Sequence, residues 1–414
     1  FVALITFKTD LFMRTFNKIF MVLAVGFLLS NTLQAQDIYE DTYQWRIPGG
    51  QYIDPVSFFS LHGYVNAVFA GDSPEWKQGN FNGIGKPGQI ILPNSNVSSF
   101  SNDEALWISS EIGERASVMM ELHLVNDPSG NGAAGPGGLT FVLTEANLRY
   151  KLYKNYLSIS AGTFWSVFGI QNQDWLGAQN LFSTIPLASG AYVTHFNERG
   201  IRLDGSINKE NWGFNYVFSV GNGFNAWDVS GYNSFDLNSN KTFNGRVSVF
   251  PGLGKDLNIG FSYGQGLLFE QDLEADPLSK QFFNNEFQAW GLDVVGQWKA
   301  LKIRSYMISS QIMLSSNTQE SRDLPAMGFM TELSYKIEVG EKLGIDAVIP
   351  KFRFDYLDQT HFDTLSSDIY QTISLGLNFQ IQKNYVVSLD YNWIEEKNYK
   401  LNNNRLVVRA SANF

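Results

Sequence analysis

From Ser57 onward the chain is written in a period of two. In "TISLGLNFQ", Ile373, Leu375, Leu377 and Phe379 fall on one face, against Thr372, Ser374, Gly376, Asn378 and Gln380 on the other. "PKFRFDY" sets Phe352, Phe354 and Tyr356 against Lys351, Arg353 and Asp355, and "RLVVRASANF" sets Leu406, Val408, Ala410, Ala412 and Phe414 against a mostly polar row of Arg405, Val407, Arg409, Ser411 and Asn413. Such alternation is the signature of a β-strand with one apolar and one polar face. The spacing predicts about sixteen strands, the first over 57–69 and the last over 404–414, with 300–312 and 326–339 among them.

The connections constrain the fold further. Tight turns are expected around Gly113–Glu114, Lys154–Asn155, Asn208–Asn211, Pro251–Lys255, Lys299, Gly340–Glu341 and Gln382–Lys383. Between them lie longer links at 70–102, 127–139, 166–195, 222–241, 266–285, 313–325, 358–366 and 395–403. Regular alternation of long and short links is what a transmembrane β-barrel shows, with long extracellular loops and short periplasmic turns. Within hydrocarbon every backbone polar group needs a partner inside the protein, and a sheet achieves that only by closing. The expected fold is therefore all-β, a transmembrane antiparallel up-and-down β-barrel over 57–414. A secreted β-sandwich or a β-solenoid is the competing fold, and it would have less regular links.

The segment "MRTFNKIFMVLAVGFLLSNTLQAQ" places Arg14 and Lys18 before an apolar run from Ile19 to Leu29, then small and polar residues up to Ala35. That is the layout of a secretory signal peptide. Residues 1–12 read as upstream of the initiator Met13, 13–35 as the signal and 36–56 as a periplasmic N-terminal segment. Without Lys8, Arg14, Lys18 and Asp10 the chain has 27 basic and 39 acidic residues, a net charge of −12. Such a balance argues against a nucleic-acid partner. The absence of cysteine excludes a disulfide scaffold and a zinc–thiolate site.

A barrel of about sixteen strands leaves an aqueous lumen, which something must narrow. The link 166–195 is long yet carries Phe168, Trp175, Leu176, Leu181, Phe182, Ile185 and Leu187. Folding inward would bury these residues and turn Gln171, Asn172, Gln173, Asp174 and Asn180 toward the pore. An outer loop packed on its neighbours, or on a second copy, is the alternative. On the wall, alternation places Arg149, Lys151, Arg202, Asp204, Arg246, Lys302, Arg304, Arg353, Asp355 and Arg409 on the inward face, with Lys336, Lys351, Glu111, Glu121, Glu145, Asp293, Glu332 and Asp390 beside them. The two signs nearly balance. They brace the barrel if they intermix, and set up a transverse field if they segregate.

The stretches "LSISAGTFWSVFGIQNQ", "TISLGLNFQIQKNYVVSLDYNW" and "RLVVRASANF" resemble the outer-membrane porin superfamily, most closely its phosphate-selective porin-like group. The resemblance implies passive diffusion of small solutes or ions, outer-membrane lipid around the barrel and a homotrimer. It also implies that barrel-assembly machinery reads the final strand with its terminal Phe414. Anion-selective members line the constriction with lysine and arginine. Residues 166–194 contain neither, so phosphate selectivity is not implied here.

Enzymatic readings have little support. The one G-x-S-x-G string, Gly260–Gly264, falls inside the alternating strand expected at 256–265 and not on the strand-to-helix turn that a nucleophile elbow needs. Glu121 and His123 share a face but fall short of the three or four ligands of a zinc site, so no metal or other cofactor is expected. The stretch before Ser57 is too short for the plug of a large transporter barrel. The competing function is a barrel with a structural or ligand-binding role and no open pore.

Overall fold

The computed structural model describes residues 60–72, 99–126, 139–170, 180–191, 197–209, 212–222, 241–251, 257–267, 282–316, 321–340, 344–360, 367–381, 384–397 and 404–413. The expected segments 1–12, 13–35 and 36–56, and the terminal Phe414, lie outside them.

The strands are β1 (Ser60–Asp72), β2 (Ser99–Ile112), β3 (Ala116–Asn126), β4 (Leu139–Tyr153), β5 (Leu157–Trp165), β6 (Asn197–Asn208), β7 (Trp212–Gly221), β8 (Thr242–Pro251) and β9 (Leu257–Leu267). They continue as β10 (Phe282–Trp298), β11 (Leu301–Ser316), β12 (Ser321–Tyr335), β13 (Ile337–Glu338), β14 (Ala347–Thr360), β15 (Ser367–Ile381), β16 (Tyr385–Glu396) and β17 (Arg405–Asn413). Because β12 and β13 both pair with β14, they form one wall strand, and the wall has 16. Each strand pairs antiparallel with its sequence neighbours, and β1 pairs with both β2 and β17. The sheet is therefore closed, with no free edge among these strands.

Burial is inverted relative to a water-soluble protein. Along β15, Thr372, Ser374 and Asn378 are buried while Ile373, Leu375 and Leu377 are exposed. Along β6, Arg202 and Asp204 are buried while Ile201 and Leu203 are exposed. The outward row is apolar because it faces hydrocarbon, and the polar row pairs within the lumen. Aromatic residues mark the two ends of the apolar band. Near the tight turns Tyr153, Tyr156, Trp212, Trp298, Tyr335 and Tyr385 are exposed, and Trp290 and Trp393 are exposed nearer the long links. Trp290 and Trp298 stand eight residues apart on β10, as do Tyr385 and Trp393 on β16. At ~3.3 Å per residue along a tilted strand, that spacing suits an apolar band ~25 Å tall with aromatic girdles.

Two expectations change. The long link expected at 313–325 shrinks to 317–320, because β11 and β12 stay in register out to Ser315 opposite Ser321. Lys336, placed inward by alternation, is an exposed residue at the break between β12 and β13. The turn after β2 relies on Gly113, at φ 67°, where a side chain would be strained.

Candidate functional site

The described residues of the link between β5 and β6, 166–170 and 180–191, seat on the inner wall. The start of the link is held at the top of β5. There Trp165 Nε1 donates to Glu121 Oε2 (2.6 Å) and Trp165 N to Glu145 Oε1 (3.3 Å), while Glu121 Oε1 meets His123 Nε2 at 2.9 Å. Glu121 and Glu145 face each other across β3 and β4, one residue from a bulge at Thr144. Two carboxylates so placed would repel each other, and the indole and imidazole supply donors between them. A little farther along, Gly169 N donates to Ser262 Oγ on β9 (2.9 Å).

Residues 180–191 then lie against the inward face of β11–β17. Wall cations donate to their backbone carbonyls. Arg409 reaches Asn180 O (2.8 Å) and Phe182 O (3.2 Å), and Lys351 reaches Leu181 O (2.6 Å). Arg353 donates to Thr184 O (2.7 Å) and Thr184 Oγ1 (2.6 Å), and Arg304 to Ile170 O (3.1 Å). Asn378 adds a second donor to Leu181 O (3.1 Å), and Ser310 Oγ donates to Ala191 O. In return Ser183 N donates to Asp390 (2.7 Å) and Ala188 N to Asp355 (3.4 Å). An irregular segment has no ladder of its own, so its peptide groups need such partners once taken from water.

Apolar packing completes the seat. Phe182 is fully buried, with Lys351 Nζ 4.6 Å and Arg353 Cζ 4.7 Å from its ring centre. Both distances are within cation–π range. The short 3-10 helix Leu187–Ala191 joins Phe168 and Ile170 in a buried cluster with Phe287, Tyr306, Ile308, Met330, Leu357 and Tyr370 of the wall. One half of the lumen is thus a small protein core.

On the other half, and beneath the loop as well, charges bind strands to one another. Arg246 on β8 forks onto Asp293 on β10 (2.9 and 2.6 Å) and touches Asn258 (3.1 Å). Arg149 bonds to Asp204 and to Ser158 (3.3 Å); Arg202 lies 3.6 Å from Asp204 and 3.4 Å from Ser160. The Arg246–Asp293 and Arg149–Asp204 links skip a strand and cross a small residue on it. Lys351 and Asp390 do the same across Gly376 (2.6 Å), with both side chains fully buried. Arg304, Glu332 and Arg353 stand in register on adjacent strands, Glu332 lying 3.4 and 3.7 Å from the two guanidinium groups. Arg353 also pairs with Asp355 (2.9 Å). The signs intermix.

Among the expected site residues, Gln171, Asn172, Gln173 and Asp174 lie outside the described residues. Asn180 is buried at the wall under Arg409. Lys151 and Lys302 are half-buried on β4 and β11, and the Arg149 side chain, at 23% exposed, is the most accessible of the paired cations named above. Alternation did not mark out the donor Ser310, nor Gly328, whose Cβ position is filled by the Ala188 backbone. Asn378 carried a signal in its polar row, whereas Gly328 carried none. Among the described residues no group of three or more His, Asp or Glu is placed to hold a metal ion.

No protein-family model matches the chain, and no curated protein sequence matches it. Solved structures do share its fold. The outer-membrane channel DcaP of Acinetobacter baumannii aligns at TM-score 0.55 and 11% identity, over 86% of this chain and 97% of that one. An anion-selective porin from Comamonas acidovorans aligns at 0.51 and 10%, over 86% and 99%. OmpT of Vibrio cholerae, an outer-membrane protein in its trimer form, aligns at 0.51 and 10%, again over 86% and 99%. At these identities the likeness establishes the fold, the β-barrel that outer-membrane porins and channels share.

Proposed function

We propose that the chain is an outer-membrane channel for passive diffusion of small hydrophilic solutes or ions, and that 166–195 is its constriction. The observation that carries this reading is the seating of 180–191 on the inner wall, where wall arginines and Lys351 hold its carbonyls. A loop that rests across a polar lumen narrows it without closing the barrel. Arg149, Lys151, Lys302 and the face of the loop carrying Gln171, Asn172, Gln173 and Asp174 then border the solute path. Arg353 and Arg409 are engaged by the loop itself, so they fix the constriction instead of selecting ions. Selectivity needs a net excess of one sign at the narrowest point. The segment's single charge, Asp174, gives no reason to assign phosphate.

The mature chain begins near residue 36 after removal of 13–35, its barrel is assembled from the periplasm through the strand ending at Phe414, and it forms a homotrimer like the similar Vibrio cholerae protein. Single-channel recording of the refolded mature chain in a planar bilayer tests the function. Ohmic steps are expected. A folded, silent barrel overturns the channel and favours the competing reading, a structural or ligand-binding barrel without an open pore. The low exposure of Arg202, Asp204, Asp355 and Asp390 gives that second reading its support.

A further inference from the structure

The wall under the loop has two recesses made by glycine. Gly328 on β12 points inward, and a Cβ there would overlap Ala188 O and lie 2.8 and 2.9 Å from Ala188 C and Cα. Real Cβ atoms essentially never come within 3.0 Å of such neighbours. All three contacts are backbone, so no side chain can swing aside. Gly376 on β15 lies beneath the Lys351–Asp390 pair, and a Cβ there would overlap Asp390 Oδ1 and lie 2.6 Å from Lys351 Cε. That same pair holds Leu181 O and Ser183 N of the loop. Neither glycine has a positive φ. Alanine would fit the backbone of both, and only space forbids it.

We infer that Gly328 and Gly376 are positioning residues whose missing side chains set where 180–191 rests in the lumen. Gly328 lets the 3-10 helix lie backbone to backbone on β12, and Gly376 lets the ion pair lie flat enough to grip the loop. A methyl group at Gly328 makes the helix retreat by about 1 Å, which breaks up the close packing of its cluster. The role in solute passage rests on the constriction reading above; the role in loop position does not.

The absence of cysteine provides the test, since Ala191→Cys, at a position 2% exposed, adds the chain's single thiol. The refolded protein in lipid vesicles is treated with a charged methanethiosulfonate, and folding is checked by heat-modifiable gel mobility. Labelling should be about tenfold faster or more in Gly328→Ala, Gly328→Val and Gly376→Ala backgrounds, in keeping with overpacking a close contact. Gly260→Ala is the control. It crowds the Arg246–Asp293 pair in the same way, with a Cβ 2.6 Å from Asp293 Oδ1, but that pair ties wall strands together. A thiol still protected in folded Gly328→Ala or Gly328→Val overturns the inference, and so does equal labelling in Gly260→Ala. Gly328→Ala keeps the test decisive should the valine variant fail to fold. If labelling rises while single-channel conductance stays unchanged, the positioning role stands and the constriction reading falls. If deleting Gln171–Asn180 raises conductance while the thiol stays protected, the reverse holds.

Discussion

Between β11 and β17 the inward cations Arg304, Lys351 and Arg353 divide their hydrogens between wall carboxylates and the loop; between β4 and β10 Arg149 and Arg246 give theirs to neighbouring strands. Arg353 and Arg246 are the clearest pair. Both are almost fully buried and both have a carboxylate within 3 Å. Yet Arg353 also holds Thr184 O and stacks on Phe182, whereas Arg246 runs to Asp293 and Asn258. Their sequence surroundings are alike, each on the polar row of an alternating strand. What separates them, among the described residues, is that 180–191 passes over Arg353. In a barrel lumen, the same residue type braces the wall or fixes a mobile element according to what lies above it.

The largest effect expected of this contrast comes from shortening the loop. Deleting Gln171–Asn180 should raise single-channel conductance severalfold, because the segment no longer spans the lumen, and unchanged conductance would break the contrast at its root. Next come the two arginines. Arg353→Met and Arg246→Met should each lower stability by about 3–5 kcal/mol, since each leaves a buried carboxylate without its partner. Urea titration of the barrel in vesicles reads that loss. Only Arg353→Met should also make the conductance larger and noisier. Equal conductance changes in both would show that the halves do not differ.

A smaller version uses the two aromatic rings. Phe182 lies between the wall cations Lys351 and Arg353, and Phe164 lies under Arg202 on the other half of the wall, 5.2 Å from its guanidinium carbon. Trimming either to leucine should reduce stability by about 1–2 kcal/mol, as removal of buried carbon does. Conductance fluctuations should increase for Phe182→Leu alone. A quiet Phe182→Leu channel would mean that carbonyl bonds, not the ring, hold the loop.

The strand pattern and its two faces were legible because a lipid-facing row must be apolar and a lumen row polar, which imprints a period of two. The pattern fades where that requirement ends. Ser315 and Ser321 pair in register, but their polar neighbours look like a loop, because at that end of the strands no apolar row is needed. Lys336 read as inward because alternation assumes an unbroken strand, and the wall strand breaks there. The apolar content of 166–195 pointed to burial, and Phe168, Phe182 and Leu187 are buried while Ile185 is exposed. The seat itself was not legible. Gly328 meets Ala188 across 140 residues, and the absence of a side chain leaves no pattern for a period to detect.

The finest cut through the comparison is Asn378→Ala. Asn378 shares Leu181 O with Lys351 and is buried on β15. Its loss removes one neutral donor from a carbonyl that keeps a charged one, so stability should fall by about 1 kcal/mol or less. The matching change on the other half of the wall, Asn258→Ala, removes an acceptor from Arg246, which keeps both oxygens of Asp293. Both variants should fold and conduct with nearly normal amplitude. The loop should nevertheless register the difference, because Leu181 has no strand ladder to hold it when a donor is lost, whereas Asn258 belongs to β9, whose backbone pairs on both sides. Slightly increased open-channel noise in Asn378→Ala, with none in Asn258→Ala, would place the boundary between the two halves at single-bond resolution. Equal noise would mean that the loop is held as firmly as the wall.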